Sequence, residues 1–254
     1  MSSSPSPVAL ITGGTAGLGA ATARLLAKDG MRVAVNYHSD SARAASFVQE
    51  LHALSPLPHD ENNFLSFRAD LGVRADLIKL VDEVVGAMGR LDAVFSNGGW
   101  TKIRDITNLD DNVNEEDWDR CFNMNVKSHL FLMHAAKEHL DKTEGVFITT
   151  ASFAGVKVSG SSLAYAVTKA AQIHLAKGLA LAASPRIRVN SVSPGLMLTD
   201  WGLSFPEEKI KEMTDRTKLG RLVTVDDVAQ QVLCFIKSKS VTGVNAVLDA
   251  GMSL

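Results

Sequence analysis

Val8-Ala-Leu-Ile-Thr-Gly-Gly-Thr-Ala-Gly-Leu-Gly19 is the stretch whose reading decides the fold. Val8 to Ile11 is a short continuous apolar run, the pattern of a strand buried on both faces. Gly13, Gly14, Gly17 and Gly19 follow at once, and a helical periodicity from Leu18 to Ala27 then stops at Gly30. Strand, glycine turn, helix and glycine stop make the first half of a βαβ unit. Residues without Cβ let a helix N-terminus approach a pyrophosphate closely, where free N–H groups and the helix dipole favour negative charge. Gly13, Thr15, Gly17, Leu18 and Gly19 are therefore candidate nucleotide contacts.

Working outward, Arg32 to Asn36 reads as a second strand whose end bears on the choice of nucleotide. A chain that prefers NAD usually carries a carboxylate about 20 residues beyond such a loop, to bond the adenosine ribose. Here the place reads Asn36-Tyr37-His38-Ser39. With no carboxylate to repel a 2′-phosphate, and with Asn36, Ser39, His38 and Arg43 able to bond one, NADP(H) is expected and NAD(H) is the alternative. Ser41 to Leu54 is helical, and residues 55–63 form a polar loop. Phe64 to Arg68 is a third strand delivering Asp70 and Leu71, where Asp70 can cap a helix, bond the adenine amino group, or do both. Ala93 to Ser96 is a fourth strand ending in Asn97, Gly98, Gly99 and Trp100.

Residues 105–114 lack periodicity and read as an acidic loop, after which Asn114 caps a helical stretch running through Asn125 to Leu140. Gly145 to Thr150, Arg188 to Val192 and Ala246 to Asp249 are further strands. Leu203 to Leu219 is amphipathic, and Thr224 opens a helix to Ile236. Seven strands alternating with helices predict one α/β domain over 1–254, a Rossmann-type doubly wound seven-stranded parallel sheet with helices on both faces.

Composition narrows the partners. A net charge of -2 argues against nucleic acid or an acidic membrane surface, leaving a small molecule. The two cysteines, Cys121 and Cys234, lie in apolar helical contexts and read as reduced core thiols, and the seven histidines lack metal spacing, so no metal site is expected. The N-terminal Met1–Pro7 stretch has no basic region, and no apolar run approaches a membrane span, so a cytoplasmic protein is expected.

Chemistry concentrates near Tyr165 and Lys169, four residues apart and so on one helical face, with Ser152 thirteen residues before the tyrosine. An ammonium beside a phenol favours the phenolate and draws its pKa toward neutrality, where acid–base catalysis works best. Together with the glycine loop, Asp70, Asn97-Gly-Gly99, Asn125, Ile187-Arg-Val-Asn-Ser-Val-Ser-Pro-Gly195 and Val241-Thr-Gly243, these residues resemble the short-chain dehydrogenase/reductase family over nearly the whole chain. The nearest likeness is to 3-oxoacyl reductases and fungal polyketide ketoreductases. The chain departs from the family in reading Ser96-Asn-Gly-Gly99 where Asn-Asn-Ala-Gly is common, and in lacking a basic residue in the glycine loop.

The resemblance implies hydride transfer between a nicotinamide and a carbonyl or alcohol. In it Tyr165 is the acid or base, Lys169 lowers the phenol pKa and bonds the ribose, Ser152 holds the substrate oxygen, and Asn125 holds a water linking Lys169 to solvent. Pro194, Gly195, Met197 and Thr199 would wrap the carboxamide, and residues 201–217 would form a lid. Trp100, Phe153, Val158, Met197 and Trp201 are candidate pocket residues. The resemblance and the apolar faces of the Asn125–Leu140 and catalytic helices predict a homotetramer or homodimer. Two alternatives are a non-catalytic dinucleotide sensor or scaffold, which has no need of Tyr165 as an acid, and a sugar-nucleotide epimerase, which usually needs a longer C-terminal region.

Overall fold

The computed structural model describes residues 6–254, so most of the Met1–Pro7 stretch lies outside the described residues. The apolar runs become strands β1 (Val8–Ile11), β2 (Arg32–Tyr37), β3 (Phe64–Arg68), β4 (Ala93–Ser96), β5 (Val146–Thr150), β6 (Arg188–Pro194) and β7 (Asn245–Leu248). They form one seven-stranded sheet in the order β3-β2-β1-β4-β5-β6-β7, every pair parallel. The order reverses at β1, which pairs with β2 on one side and β4 on the other. A crevice therefore opens at the carboxyl ends of β1 and β4, the place where doubly wound sheets bind ligands.

Among the described residues eight α-helices connect the strands: α1 (Gly17–Lys28), α2 (Ser41–Leu54), α3 (Arg74–Met88), α4 (Glu115–Phe122), α5 (Ser128–Thr143), α6 (Leu163–Ala183), α7 (Glu207–Arg216) and α8 (Val225–Lys237). Strand residues alternate between two cores, as a period of two demands. Ala9 and Ile11 join Leu26, Phe47 and Val228, contributed by α1, α2 and α8. Val8 and Leu10 join Leu80, Leu132 and Ala176, contributed by α3, α5 and α6. Each large side chain enclosed there, such as Leu80 or Leu132, contributes about 1.5–3 kcal/mol.

Local chemistry sets the helix ends. Asn114 accepts from the Asp117 N–H and Thr224 from the Asp227 N–H, as their positions predicted. Three elements differ from the expectation. The stretch from Asn114 to Leu140 is not one α-helix, because residues 123–127 wind as a π-helical turn between α4 and α5. The amphipathic Leu203–Leu219 stretch condenses into a short turn at 202–204 and α7, which seats Met213 on a small cluster with Phe153, Leu196 and Met252. Cys234 is exposed rather than in the core, since α8 turns it away from the sheet, whereas Cys121 is buried.

Candidate active site

The glycine turn forms a cradle that a side chain would fill. A Cβ on Gly19 would collide with the Gly13 carbonyl oxygen, and one on Gly17, whose φ is +49°, would sit 3.1 Å from the Thr199 side chain. α1 starts after Ala16, which has no side chain able to cap it, so its first-turn N–H groups can meet phosphate oxygens. These features fit a dinucleotide pyrophosphate. Asn97 ties the cradle to the neighbouring strands: Nδ2 donates to Thr12 O at 3.2 Å, while Oδ1 accepts from Thr150 Oγ1 at 3.0 Å. Leu71 packs its side chain against the Gly98 backbone.

The β2 end corrects one expectation. Asn36 does not face a 2′-phosphate: it is 2% exposed and its amide is already spent. Oδ1 accepts from the Gly13 N–H at 3.2 Å, and Nδ2 donates to the Tyr37 and Ala69 carbonyls at 3.1 and 3.2 Å. It braces the glycine turn from below. Tyr37 is half-buried, while His38 and Ser39 are exposed. Asp40, a carboxylate just beyond them, caps α2 through the Arg43 N–H and lies 3.4 Å from the Arg43 side chain. Arg43 also reaches Asp200 at 3.6 Å, and Arg68 donates to the His38 carbonyl at 3.1 Å. Asp70 does not cap α3, which begins after Val73. Its Oδ1 instead closes a tight turn onto the Gly72 N–H at 2.8 Å, and Oδ2 lies 3.6 Å from His38 Nε2.

Across the crevice, Ser162 caps α6 by accepting from the Tyr165 N–H at 3.1 Å, which fixes where the helix starts and how the phenol points. Tyr165 and Lys169 share one face, with Nζ 5.5 Å from the ring centroid. Ser152, two residues beyond β5, accepts from the Ala154 N–H at 3.1 Å and lies close enough to the phenol to favour its ionised form. Lys169 Nζ donates to Thr150 O at 2.8 Å and to Gln172 Oε1 at 2.9 Å. The expected lowering of the phenol pKa does not operate in this site by itself. Burial pushes Tyr165 up to about 12, opposed by the Ser152 hydrogen bond, and pulls Lys169 down to about 7.

Asn125 is fully buried in the π-helical turn. Its Oδ1 accepts from the Trp100 N–H and its Nδ2 donates to the Trp100 carbonyl, both at 2.8 Å, with a further bond to Thr168 Oγ1 at 3.1 Å. The amide thus bonds protein partners at both ends, with one lone pair of Oδ1 left over. It clamps the loop after β4 onto the catalytic helix.

The candidate pocket residues divide. The Trp201 ring lies 5.7 Å from Tyr165 and 6.0 Å from Phe205, forming an aromatic wall over the phenol. Trp100 is half-buried beneath the Arg120 guanidinium, 4.5 Å from its ring. Phe153 is not a pocket residue: it is 3% exposed and packs in the small core under α7. Val158 is 78% exposed on the loop before α6, and Met197 packs partly against the main core. Pro194 is buried and Gly195 donates to Leu248 O at 2.8 Å, anchoring the segment that carries Thr199.

Two residues near Lys169 escaped the sequence reading. Gln172 is fully buried and His129 is 1% exposed; Gln172 lies one turn beyond Lys169 on the buried face of α6 that also carries Tyr165 and Thr168. A buried amide three residues beyond the lysine was the available signal; the histidine gave none until α5 was placed against α6. Among the described residues, no three His, Cys, Asp or Glu side chains are grouped to hold a metal ion, and no helix is long and apolar enough to cross a membrane.

Comparison with known proteins agrees with this fold. A family described as enoyl-(acyl carrier protein) reductase matches residues 13–253. The putative ketoacyl reductase 2 of the granaticin polyketide synthase from Streptomyces violaceoruber is 33% identical over 98% of this chain and 96% of its own. A short-chain dehydrogenase from Burkholderia cenocepacia, solved with NADP, superposes with a TM-score of 0.88 at 30% identity, covering 98% of this chain and 99% of that one. The 3-ketoacyl-(acyl-carrier-protein) reductase of Brucella melitensis, solved with NADH, gives 0.86 at 25% identity, covering 99% and 100%.

Proposed function

The chain belongs to the short-chain dehydrogenase/reductase family and is an oxidoreductase of carbonyl and CH–OH groups, and from this premise we propose that it reduces a ketone or aldehyde with NADPH through Ser152, Tyr165, Lys169 and Asn125. The observation that carries the proposal is the convergence of a buried phenol, a buried ammonium and a serine hydroxyl beside a glycine cradle at the carboxyl ends of the central strands. A bound nicotinamide dinucleotide supplies the hydride. Ser152 holds the substrate oxygen at a fixed donor, and Tyr165 gives that oxygen its proton, or takes one in the reverse direction. Lys169, when charged, stabilises the phenolate left behind and has a proton free for a ribose hydroxyl. Asn125 keeps the Trp100 loop in register with α6. Trp201 and Trp100 border the space for the substrate's apolar part.

NADP(H) is preferred in this reading because Asp40 accepts from the Arg43 N–H at the start of α2, while His38, Ser39 and the Arg43 guanidinium are exposed, and a 2′-phosphate would compete for that guanidinium with its loose pairs to Asp40 and Asp200 at 3.4 and 3.6 Å. NAD(H) remains the second choice. The protein is taken to be cytoplasmic and a homotetramer or homodimer. The test is absorbance at the nicotinamide band with NADPH and NADH against a panel of ketones and aldehydes. Consumption that is faster with NADPH supports the proposal. Tight dinucleotide binding with no turnover across the panel would sink it in favour of a sensor.

A further inference from the structure

Lys169 does not stand alone in the protein interior. In its charged form Nζ carries only donors, so the Gln172 atom 2.9 Å away is then its carbonyl, Oε1. That fixes the other end of the amide: Nε2 is the donor, 3.1 Å from Thr150 O and 2.9 Å from His129 Nε2. His129 Nε2 must then accept, so the neutral ring carries its proton on Nδ1 and donates it to Ser96 Oγ at 2.6 Å. One donor-only group thus orients every bond in a chain crossing α6, α5 and β4. Ser96, His129, Lys169 and Gln172 are all buried, none more than 3% exposed.

We propose that Gln172, held in turn by His129 and Ser96, is a positioning residue that aims the Lys169 ammonium into the crevice. The proposal rests on the reading of Lys169 as part of the active site. Two of the ammonium's three protons are taken by Thr150 O and Gln172 Oε1, both on the sheet side, which leaves the third directed at a ligand. The chain is a brace and not a proton relay, because an amide nitrogen does not pass protons readily and Ser96 is enclosed. A charged His129 would aim an N–H at the Gln172 N–H, so the brace requires the neutral ring, and burial keeps its pKa down at about 3. The titratable groups facing Lys169 are Tyr165 on its own helix, His129 from α5 and Cys121 from α4, while β5 presents only the uncharged Thr150.

Side-chain ¹⁵N NMR tests the chain without any turnover. In the wild type the His129 ring should hold its proton on Nδ1 and stay neutral across about pH 5 to 9. Gln172→Leu removes the acceptor, so Lys169 should lose its charge about one pH unit lower and the Kd for NADPH should rise about tenfold. Gln172→Glu restores an acceptor, so it should recover NADPH binding and raise the lysine titration. It has no donor for His129, so the ring proton should move to Nε2. A wild-type ring with its proton on Nε2 overturns the proposal, whether or not any variant folds. So does a Gln172→Leu protein with unchanged Kd and lysine titration. A wild type that binds NADPH but turns over no carbonyl compound would end the functional reading alone, and the tautomer and Kd comparisons would still decide the chain.

Discussion

A phenol at 6% exposure beside an ammonium at 3% sets the terms on which this site can move a proton. Replacing Tyr165 by Phe removes the proton while keeping the ring against Trp201, so turnover should fall by about 10²–10⁴-fold with dinucleotide affinity nearly unchanged. Steady-state rates and a fluorescence titration of NADPH check the two halves separately. His129 gives a stability prediction whose sign follows from its position. Its folded pKa of about 3 lies below the ordinary value of 6.5, so between those values the unfolded chain binds a proton that the native ring refuses. Stability should therefore drain away as pH falls through that window, by about 1.4 kcal/mol per unit from this group. His129→Leu should be less stable at neutral pH yet show a flatter acid limb in urea unfolding. Asn36→Asp would turn a carboxylate toward the Tyr37 and Ala69 carbonyls. It should cost about 1–3 kcal/mol in urea unfolding, where the sequence suggested only a change of nucleotide. Residue identity showed that Asn36 is polar and at a strand end; it could not show that the side chain turns inward, because that depends on the carbonyls of the strand beside it.

At the scale of elements, the site depends on how closely the turn after Ser152 lies on α6. A Cβ on Gly155 would sit 2.5 Å from the Lys169 carbonyl carbon and 2.7 Å from the Ala170 nitrogen, both backbone atoms that cannot rotate away. Gly155→Ala should push the turn off the helix, cost about 1–3 kcal/mol and lower turnover by separating Ser152 from Tyr165, as thermal melts and rate measurements would register. The loop of residues 100–114 matters in the same way. Arg104 pairs with Asp117 at 2.6 Å, and Asn112 Oδ1 accepts from the Leu163 N–H at 2.8 Å, so the loop supplies α6 with a second cap. Its acidic composition, read as a plain connection, conceals those contacts, since they join residues 13 to 51 positions apart. The π-helical turn was equally hidden: nothing local in residues 123–127 marks a change of winding, and the bonds of its Asn125 to Trp100 join positions 25 apart.

Over the whole molecule, the sheet and its helix layers were legible because apolar runs and glycine punctuation are local signals, and parallel pairing follows from alternation. Assembly is a matter of surface. Leu130 on α5 and Val167 and Leu181 on α6 are 40%, 39% and 83% exposed, interspersed with exposed polar residues such as His134 and His174, and the expectation that these helices join copies of the chain is open to test. Light scattering should find a dimer or tetramer, and Val167→Glu should shift it toward the monomer. The strands run the same way, so the glycine turn, Asn97, Ser152 and Pro194 all leave one rim of the sheet. The opposite rim carries the polar loop before β3, where Glu61 is exposed. A linker attached at Glu61 would let the enzyme be tethered to a bead or electrode with its mouth facing the bulk liquid, so immobilisation need not obstruct traffic in or out.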